Sequence, residues 1–375
     1  MATEKFIYDI SSHNADLFYA TRFSVHDPII FIEVRGKKYL VLNDLEIDRG
    51  KRQAKVHRVL SLSAYQRKAN ERKKNATLVD VLQTIFNDFR IKRLIVPTST
   101  SFALVDSLRR KGFRVEQGSR PFYPKRAIKT AAEQRLIEEA QRVVFSAFEW
   151  TEHIVHASRV RGNRLVYRGT LLTSERLQSL ISVFLLERGY STADPPIVAG
   201  GIQACDPHEI GHGPLKPHEA IVVDIFPRSL TTGFHGDATR TFCKGRAPDA
   251  LKRLYATVLE GQKLGIAMVR AGRNGKKIHT AITNLFAKKG FPTGEKNGRM
   301  QGFFHGTGHG IGLEVHEEPA RIGKMDCILK PNLVMSVEPG LYYPAIGGVR
   351  IEDLVVVTKT GCRVLSRYPK VLEIR

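Results

Sequence analysis

Residues 302–317 read GFFHGTGHGIGLEVHE and hold three histidines (His305, His309, His316) and five glycines (Gly302, Gly306, Gly308, Gly310, Gly312). Glycine at this density disfavours a helix and an ordinary strand. It suits a backbone that passes close to another group while presenting imidazoles to it. A glycine-rich surface loop with incidental histidines is the plain alternative. The rest of the chain decides between the two, because it supplies four carboxylates in settings that fit the same site.

The first pair lies upstream. Residues 220–226, AIVVDIF, form an apolar strand that carries Asp224. A loop rich in Pro, Ser, Thr and Gly follows, and the chain returns through Asp237 in GDATRTF. An antiparallel return brings the two aspartates together, unless one of them caps a turn. Carboxylates side by side near a core repel each other and lose hydration, so they need a cation or a shared proton. The second pair lies downstream. Glu338 ends the apolar run LVMSVEPG, Glu352 follows in GVRIED, and GLYYPAIGG between them reads as a hairpin. Four carboxylates and one imidazole are a hard, oxygen-dominated ligand set, suited to a pair of divalent ions such as Mn²⁺ or Co²⁺, with Zn²⁺ as an alternative. Two ions ~3.5–4 Å apart can clamp a tetrahedral intermediate.

Two motifs are decoys. Residues 208–212, HEIGH, match H-E-x-x-H, which binds zinc only from a helix. Gly211 inside the motif and Gly213-Pro214 after it oppose a helix. His208 remains a candidate to face a substrate from a loop. GTGHGIG lacks the spacing of a dinucleotide fingerprint.

The chain has 375 residues and is 42% hydrophobic, enough for a large core and for two domains. No stretch approaches the ~20 apolar residues of a membrane helix, and MATEKFIYDISS does not read as a signal peptide. The four cysteines lie far apart without a CxxC pair, which points to a reducing, cytoplasmic setting without disulfides. The net charge of +22 raises the question of an acidic partner. Residues 49–74 hold ten basic residues and one acid, but Tyr65 is their sole aromatic residue and no nucleic-acid motif is present. A solvated basic face is the reading taken, with nucleic-acid binding as the lesser alternative.

Residues 1–122 alternate strands (6–10, a hairpin over 28–42, 93–97, 113–116) with helices (76–89, 100–111). They carry no cluster of potential ligands. The segment 119–130, SRPFYPKRAIKT, reads as a linker, and the second domain covers 123–375. Its expected helices span 131–158, 172–188, 248–270 and 275–289. Its strands fall at 197–201, 220–226, 234–242, 332–340 and 348–357.

Taken in order, DIFPRSLTTGFHGDATRTF, HGTGHGIGLEVHE, SVEPGLYY and GVRIED resemble the Xaa-Pro peptidases (Xaa-Pro aminopeptidase and prolidase) of the methionine aminopeptidase/creatinase superfamily. The resemblance implies an α/β (α+β) protein: a creatinase/prolidase-like N-terminal domain and a pita-bread metallopeptidase domain. It implies two divalent ions, Mn²⁺ first, held by Asp224, Asp237, His309, Glu338 and Glu352, with Asp237 and Glu352 bridging. His208, His316, Glu338 and Arg350 are the implied catalytic residues: Glu338 shuttles a proton, His316 stabilises the oxyanion, and His208 and Arg350 orient the substrate. His305 and Thr239 support them. The implied protein is a homodimer, without membrane association, that removes an N-terminal residue preceding proline. A prolidase restricted to Xaa-Pro dipeptides is the alternative. A non-catalytic binding module of the same fold is the alternative from another class; such modules typically lose ligands, and all five are present here. The Asp224–Asp237 separation is two residues longer than the usual family hairpin, and DPHEIGHGPL departs from the family's sequence around His208.

Overall fold

The computed structural model describes residues 4–375. The chain divides into two compact units, one running to Arg126 and the other covering Ala127–Arg375. The division falls inside the proline- and arginine-rich 119–130 segment, four residues past the 122/123 boundary taken from the sequence.

The first unit is built on a six-stranded mixed sheet in the order Arg58–Ser61, Lys37–Leu42, Pro28–Val34, Glu4–Ile10, Arg93–Val96, Arg114–Gln117. Arg35 and Gly36 both take positive φ (49° and 76°), the two-residue turn that matches strand twist and sets Val34 against Lys37. Strand Pro28–Val34 is apolar at nearly every position because both faces are covered. Ile30, Ile32 and Val34 join Val81, Leu82, Ile85 and Phe86 of helix Leu78–Asp88. Ile29 and Phe31 join Leu17 and Ala20 of helix Ala15–Thr21 on the other side.

The basic 49–74 stretch is more ordered than a solvated face requires. It ends helix Ile47–Gln53, forms edge strand Arg58–Ser61 and continues into helix Leu62–Arg72. The last helix buries only Ala69, so its periodicity is faint; Ser61 caps it by accepting from Ala64 N at 3.1 Å. Most of the cations, Arg52, Lys55, Arg58, Arg67 and Lys74 among them, are exposed.

The second unit places helices on several small sheets. Helix Ala131–Ala157, started by the Thr130/Glu133 capping box, packs on strand Ala238–Lys244. Helix Ser174–Leu186 packs on strand Ile197–Gly200. Helix Asp249–Met268 covers Val334–Val337, Gly340–Tyr343 and Gly347–Arg350. Trp150, on the first of these helices, stacks on Phe184 at 6.1 Å.

The two late strands differ from their sequence reading. Each is broken in the middle. Val334–Val337 pairs with Asp353–Val357, and Gly340–Tyr343 pairs separately with Gly347–Arg350. Glu338-Pro339 and Ile351-Glu352 lie at the break. Pro339 has no N–H to give a ladder. The break lets both glutamates leave the sheet at one place. Among the described residues, no helix is long and apolar enough to cross a membrane.

Asp80 ties the first unit together. It completes the capping box with Thr77 and receives Lys73 at 2.8 Å and Lys111 at 2.7 Å, with its side chain 8% exposed. The two lysines and the Thr77 donors hold its carboxyl well below the usual range. A carboxylate with a depressed folded-state pKa adds stability above its unfolded value and loses it as pH falls. Asp80→Ala is expected to destabilise the protein by about 1–2 kcal/mol in urea unfolding at pH 7. The gap from wild type narrows as pH drops below about 4, where the unfolded carboxyl takes up its proton.

Candidate metal centre

Strands Ile221–Ile225 and Ala238–Lys244 pair antiparallel, with Asp224 opposite Thr239. Asp237 precedes the return strand and, two residues before Thr239, shares its facing. The long hairpin is absorbed where Arg228–Ser229 pairs with Tyr190–Ser191. A two-residue extension leaves side-chain facing unchanged. Gly236 lies against helix Ala131–Ala157, where a Cβ would sit 2.8 Å from the Ala140 backbone. That approach brings Gln141 onto Asp237. The Gln141 amide nitrogen donates to Asp237 O, and Asp237 N donates to the amide oxygen, both at 2.9 Å. The sequence reading missed Gln141. The available signal was an amide among core positions of a helix, which needs a partner when buried.

The glycine-rich block is not a free loop. Contrary to the expectation from its glycine content, Gly308–His309 forms a short strand with Arg321–Ile322. A Cβ on Gly308 would lie 2.0 Å from Ser336 O, so glycine lets this backbone run against strand Val334–Val337. His309 N donates to Ser336 Oγ at 3.0 Å. The His309 Nδ1 donates to Gly310 O at 3.2 Å, which leaves the Nε2 lone pair facing the carboxylates. Nε2 lies 3.3 Å from Glu338 Oε1, 3.6 Å from Asp237 Oδ2 and 4.0 Å from Glu352 Oε1. One ligand atom each from Asp237, His309 and Glu352 falls within 4.8 Å of the others.

These five residues line one cleft of about 740 Å³, together with His208, His305, His316, Arg350 and an apolar wall. Burial and the neighbouring carboxylates push Asp237 and Glu352 well above the ordinary carboxyl range. Burial, with Asp224 adding, raises Glu338 to about 7 against the pull of Arg350. Burial pushes the His309 imidazole down, toward the neutral form a metal requires. Asp224 Oδ1 and Glu352 Oε1 are buried without a hydrogen-bond partner. Crowded carboxylates, a neutral imidazole lone pair and two orphaned oxygens all call for cations, and hard divalent ions match the donor set.

Two further carboxylate oxygens are tied down by hydroxyls. Thr239 Oγ1 donates to Glu352 Oε2 at 2.8 Å, and Ser336 Oγ donates to Glu338 Oε1 at 3.1 Å. Arg240 donates to Glu352 O and pairs with buried Asp353 at 2.7 Å, which also receives Gln262 at 2.8 Å.

Arg350 is buried and committed to the protein. It donates to Asp224 Oδ2 (2.8 Å), Thr239 Oγ1 (3.2 Å), Tyr342 OH (3.1 Å) and Pro207 O (3.2 Å). Tyr342 OH in turn donates to His305 Nε2 at 2.8 Å, because His305 Nδ1 donates to Gly306 O. Burial, then the charge of Arg350, pushes His305 down to about 3. Arg350 thus holds Asp224 and the loop before His208, where the sequence reading had it orienting a substrate.

His316 is exposed in the cleft, its ring 4.3 Å from that of His309 at 76°. The loop that carries it is fastened by the buried Glu317–Lys129 ion pair and by Leu313 N donating to Glu317 Oε1 at 3.3 Å. Nothing local in the sequence announced Lys129, 188 residues away. His208 lines the same cleft from a non-helical loop. Gly211, at φ 88°, lies so close to strand Ile197–Gly200 that a Cβ would be 1.8 Å from Val198 O. The HEIGH stretch therefore cannot present two histidines from one helix.

Residues 135–359 match the model of metallopeptidase family M24. The chain is 33% identical over 248 residues to the uncharacterized peptidase YqhT of Bacillus subtilis, covering 66% of this chain and 64% of that relative. It is 29% identical over 290 residues to an Xaa-Pro dipeptidase of Pyrococcus horikoshii, covering 75% of each. The fold is that of the X-Pro aminopeptidase from Thermotoga maritima, with a TM-score of 0.81 over 99% of this chain and 97% of that one at 24% identity.

Gln141 grips the backbone of Asp237 without touching the cleft. Gln141→Leu is expected to weaken divalent-ion binding about 10–100-fold, as loss of an outer partner does in metal sites. Titration of the metal-stripped protein by calorimetry measures it.

Proposed function

The chain belongs to metallopeptidase family M24, which carries dependence on divalent metal ions, and from that premise we propose that it is an exopeptidase cutting between an N-terminal residue and a following proline. The observation that carries the reading is the convergence of Asp237, His309 and Glu352 on one point of a cleft that also holds Asp224 and Glu338. The kinship to an Xaa-Pro dipeptidase supports the proline preference.

Asp224, Asp237, His309, Glu338 and Glu352 would hold two ions, Mn²⁺ first. When bound, such ions polarise a carbonyl and make water acidic enough to attack near neutral pH. Glu338 keeps one oxygen on Ser336 and has its other oxygen free to take a proton from water and pass it to the proline nitrogen as the bond breaks. His316, exposed beside His309, donates to the oxygen on which charge develops. His208 faces the peptide from the opposite loop. Arg350 keeps Asp224 and that loop in place. The four cysteines are unpaired, in keeping with a cytoplasmic enzyme.

The same residues serve a prolidase restricted to dipeptides, and the Pyrococcus relative favours that second reading. A panel of proline-second peptides of two, three and five residues, assayed with Mn²⁺, separates them: the aminopeptidase turns over all three, the prolidase only the shortest. Asp237→Ala and Glu352→Ala are expected to abolish turnover and metal retention; full activity in either defeats the two-metal reading. His316→Ala should lower kcat by about 10²–10³-fold with metal content unchanged, as loss of an oxyanion donor does.

A further inference from the structure

Outside the four clustered carboxylates, Asp194 is the only acid among the described residues that lines the cleft. It stands in the 192–196 loop between strands Tyr190–Ser191 and Ile197–Gly200. Both flanks are pinned, Tyr190 opposite Ser229 and Ile197 opposite Asp224. The loop therefore stands at the end of the strand that carries Asp224, and Pro195 and Pro196 restrict its backbone. Asp194 is exposed and has no hydrogen-bond or ion-pair partner among the described residues. The acids flanking His208 are occupied: Asp206 pairs with Arg299 at 2.7 Å, and Glu209 accepts from Gly211 N at 3.0 Å. In a chain with 59 Lys and Arg against 37 Asp and Glu, an acid left without a cation beside a reaction centre is available to a cation from outside.

The apolar part of the cleft's lining is Pro195, Ile197, Ile210, Phe226 and Val315, of which Pro195 adjoins Asp194 in the chain. Lysine and arginine lay their methylene stems on such surface and keep the charged end at a polar site. A charged end meeting a carboxylate makes the stronger, charge-assisted kind of hydrogen bond. We propose that Asp194 selects substrates whose N-terminal residue, the one before proline, is lysine or arginine. The inference rests on the peptidase reading above and adds the residue class that the site prefers.

The test compares kcat/KM on three tripeptides, Xaa-Pro-Ala, in which Xaa is lysine, norleucine or glutamate. Norleucine has the stem of lysine without the charge. The wild type is expected to favour lysine over norleucine about three- to fivefold, the size of a partly exposed ion pair. In Asp194→Asn the lysine/norleucine ratio falls to about one. Asp194→Lys moves the preference to glutamate, and the wild-type preference shrinks with added salt. A ratio near one in the wild type, or a wild-type ratio retained in Asp194→Asn, overturns the proposal; the second result would hand Asp194 to the α-ammonium common to all three peptides, or to no substrate cation. Absence of turnover on every peptide by the metal-loaded wild type defeats the peptidase reading itself, a result distinct from turnover without charge preference.

Discussion

Like charges held close together and away from water are the constraint on which the second unit turns. Asp224, Asp237, Glu338 and Glu352 share one cleft in which, among the described residues, Arg350 supplies the one guanidinium or ammonium. Left to themselves, four such groups would protonate or swing apart. They stay because each is fastened from behind. Gln141 holds the backbone of Asp237, Arg350 holds Asp224, Ser336 holds Glu338, and Thr239 with Arg240 holds Glu352. The repulsion is thereby turned into an affinity for cations.

The fastenings come from every layer of the unit. A helix, two broken strands and a glycine-lined strand each approach the same point. Gly236 lets the first helix close on Asp237, and Gly308 lets the His309 backbone lie on Ser336. The broken ladder at Pro339 and Ile351 releases two glutamates at one level. On the other wall the cleft is softer: an apolar surface, two exposed histidines and one unpaired aspartate. Rigid groups that hold cations and looser groups that meet a peptide are thus separated within a single cavity.

The sequence was legible where chemistry is dense and local. Histidines among glycines, aspartates in apolar strands and glutamates beside proline and glycine could be picked out because such residues are costly in a core without a purpose. The strand–turn–strand spacing around Asp224 and Asp237 carried its own geometry, since alternation fixes facing. Legibility failed where a residue's meaning depends on a distant partner. Gln141 looks like one more polar residue of a long helix, and Lys129 like one more base in a basic linker. Helix Leu62–Arg72 escaped notice because it buries almost nothing, and without an apolar stripe there is no period to read.

By itself the sequence determined the α/β class, the strand pairs, the metal-seeking residue types and the family. The first three follow from local rules of period, propensity and ligand chemistry; the family follows from the resemblance of four ordered motifs to known peptidases. Tertiary structure alone decided that the late strands break at Glu338 and Glu352, that the glycine-rich block joins a ladder, and that Arg350 is locked onto Asp224, Thr239 and Tyr342. It also decided that Asp194 is left open beside an apolar wall. Each of these depends on which distant backbone or side chain arrives within 3–4 Å, the range over which hydrogen bonds, ion pairs and steric contact act, and no spacing along the chain encodes that distance.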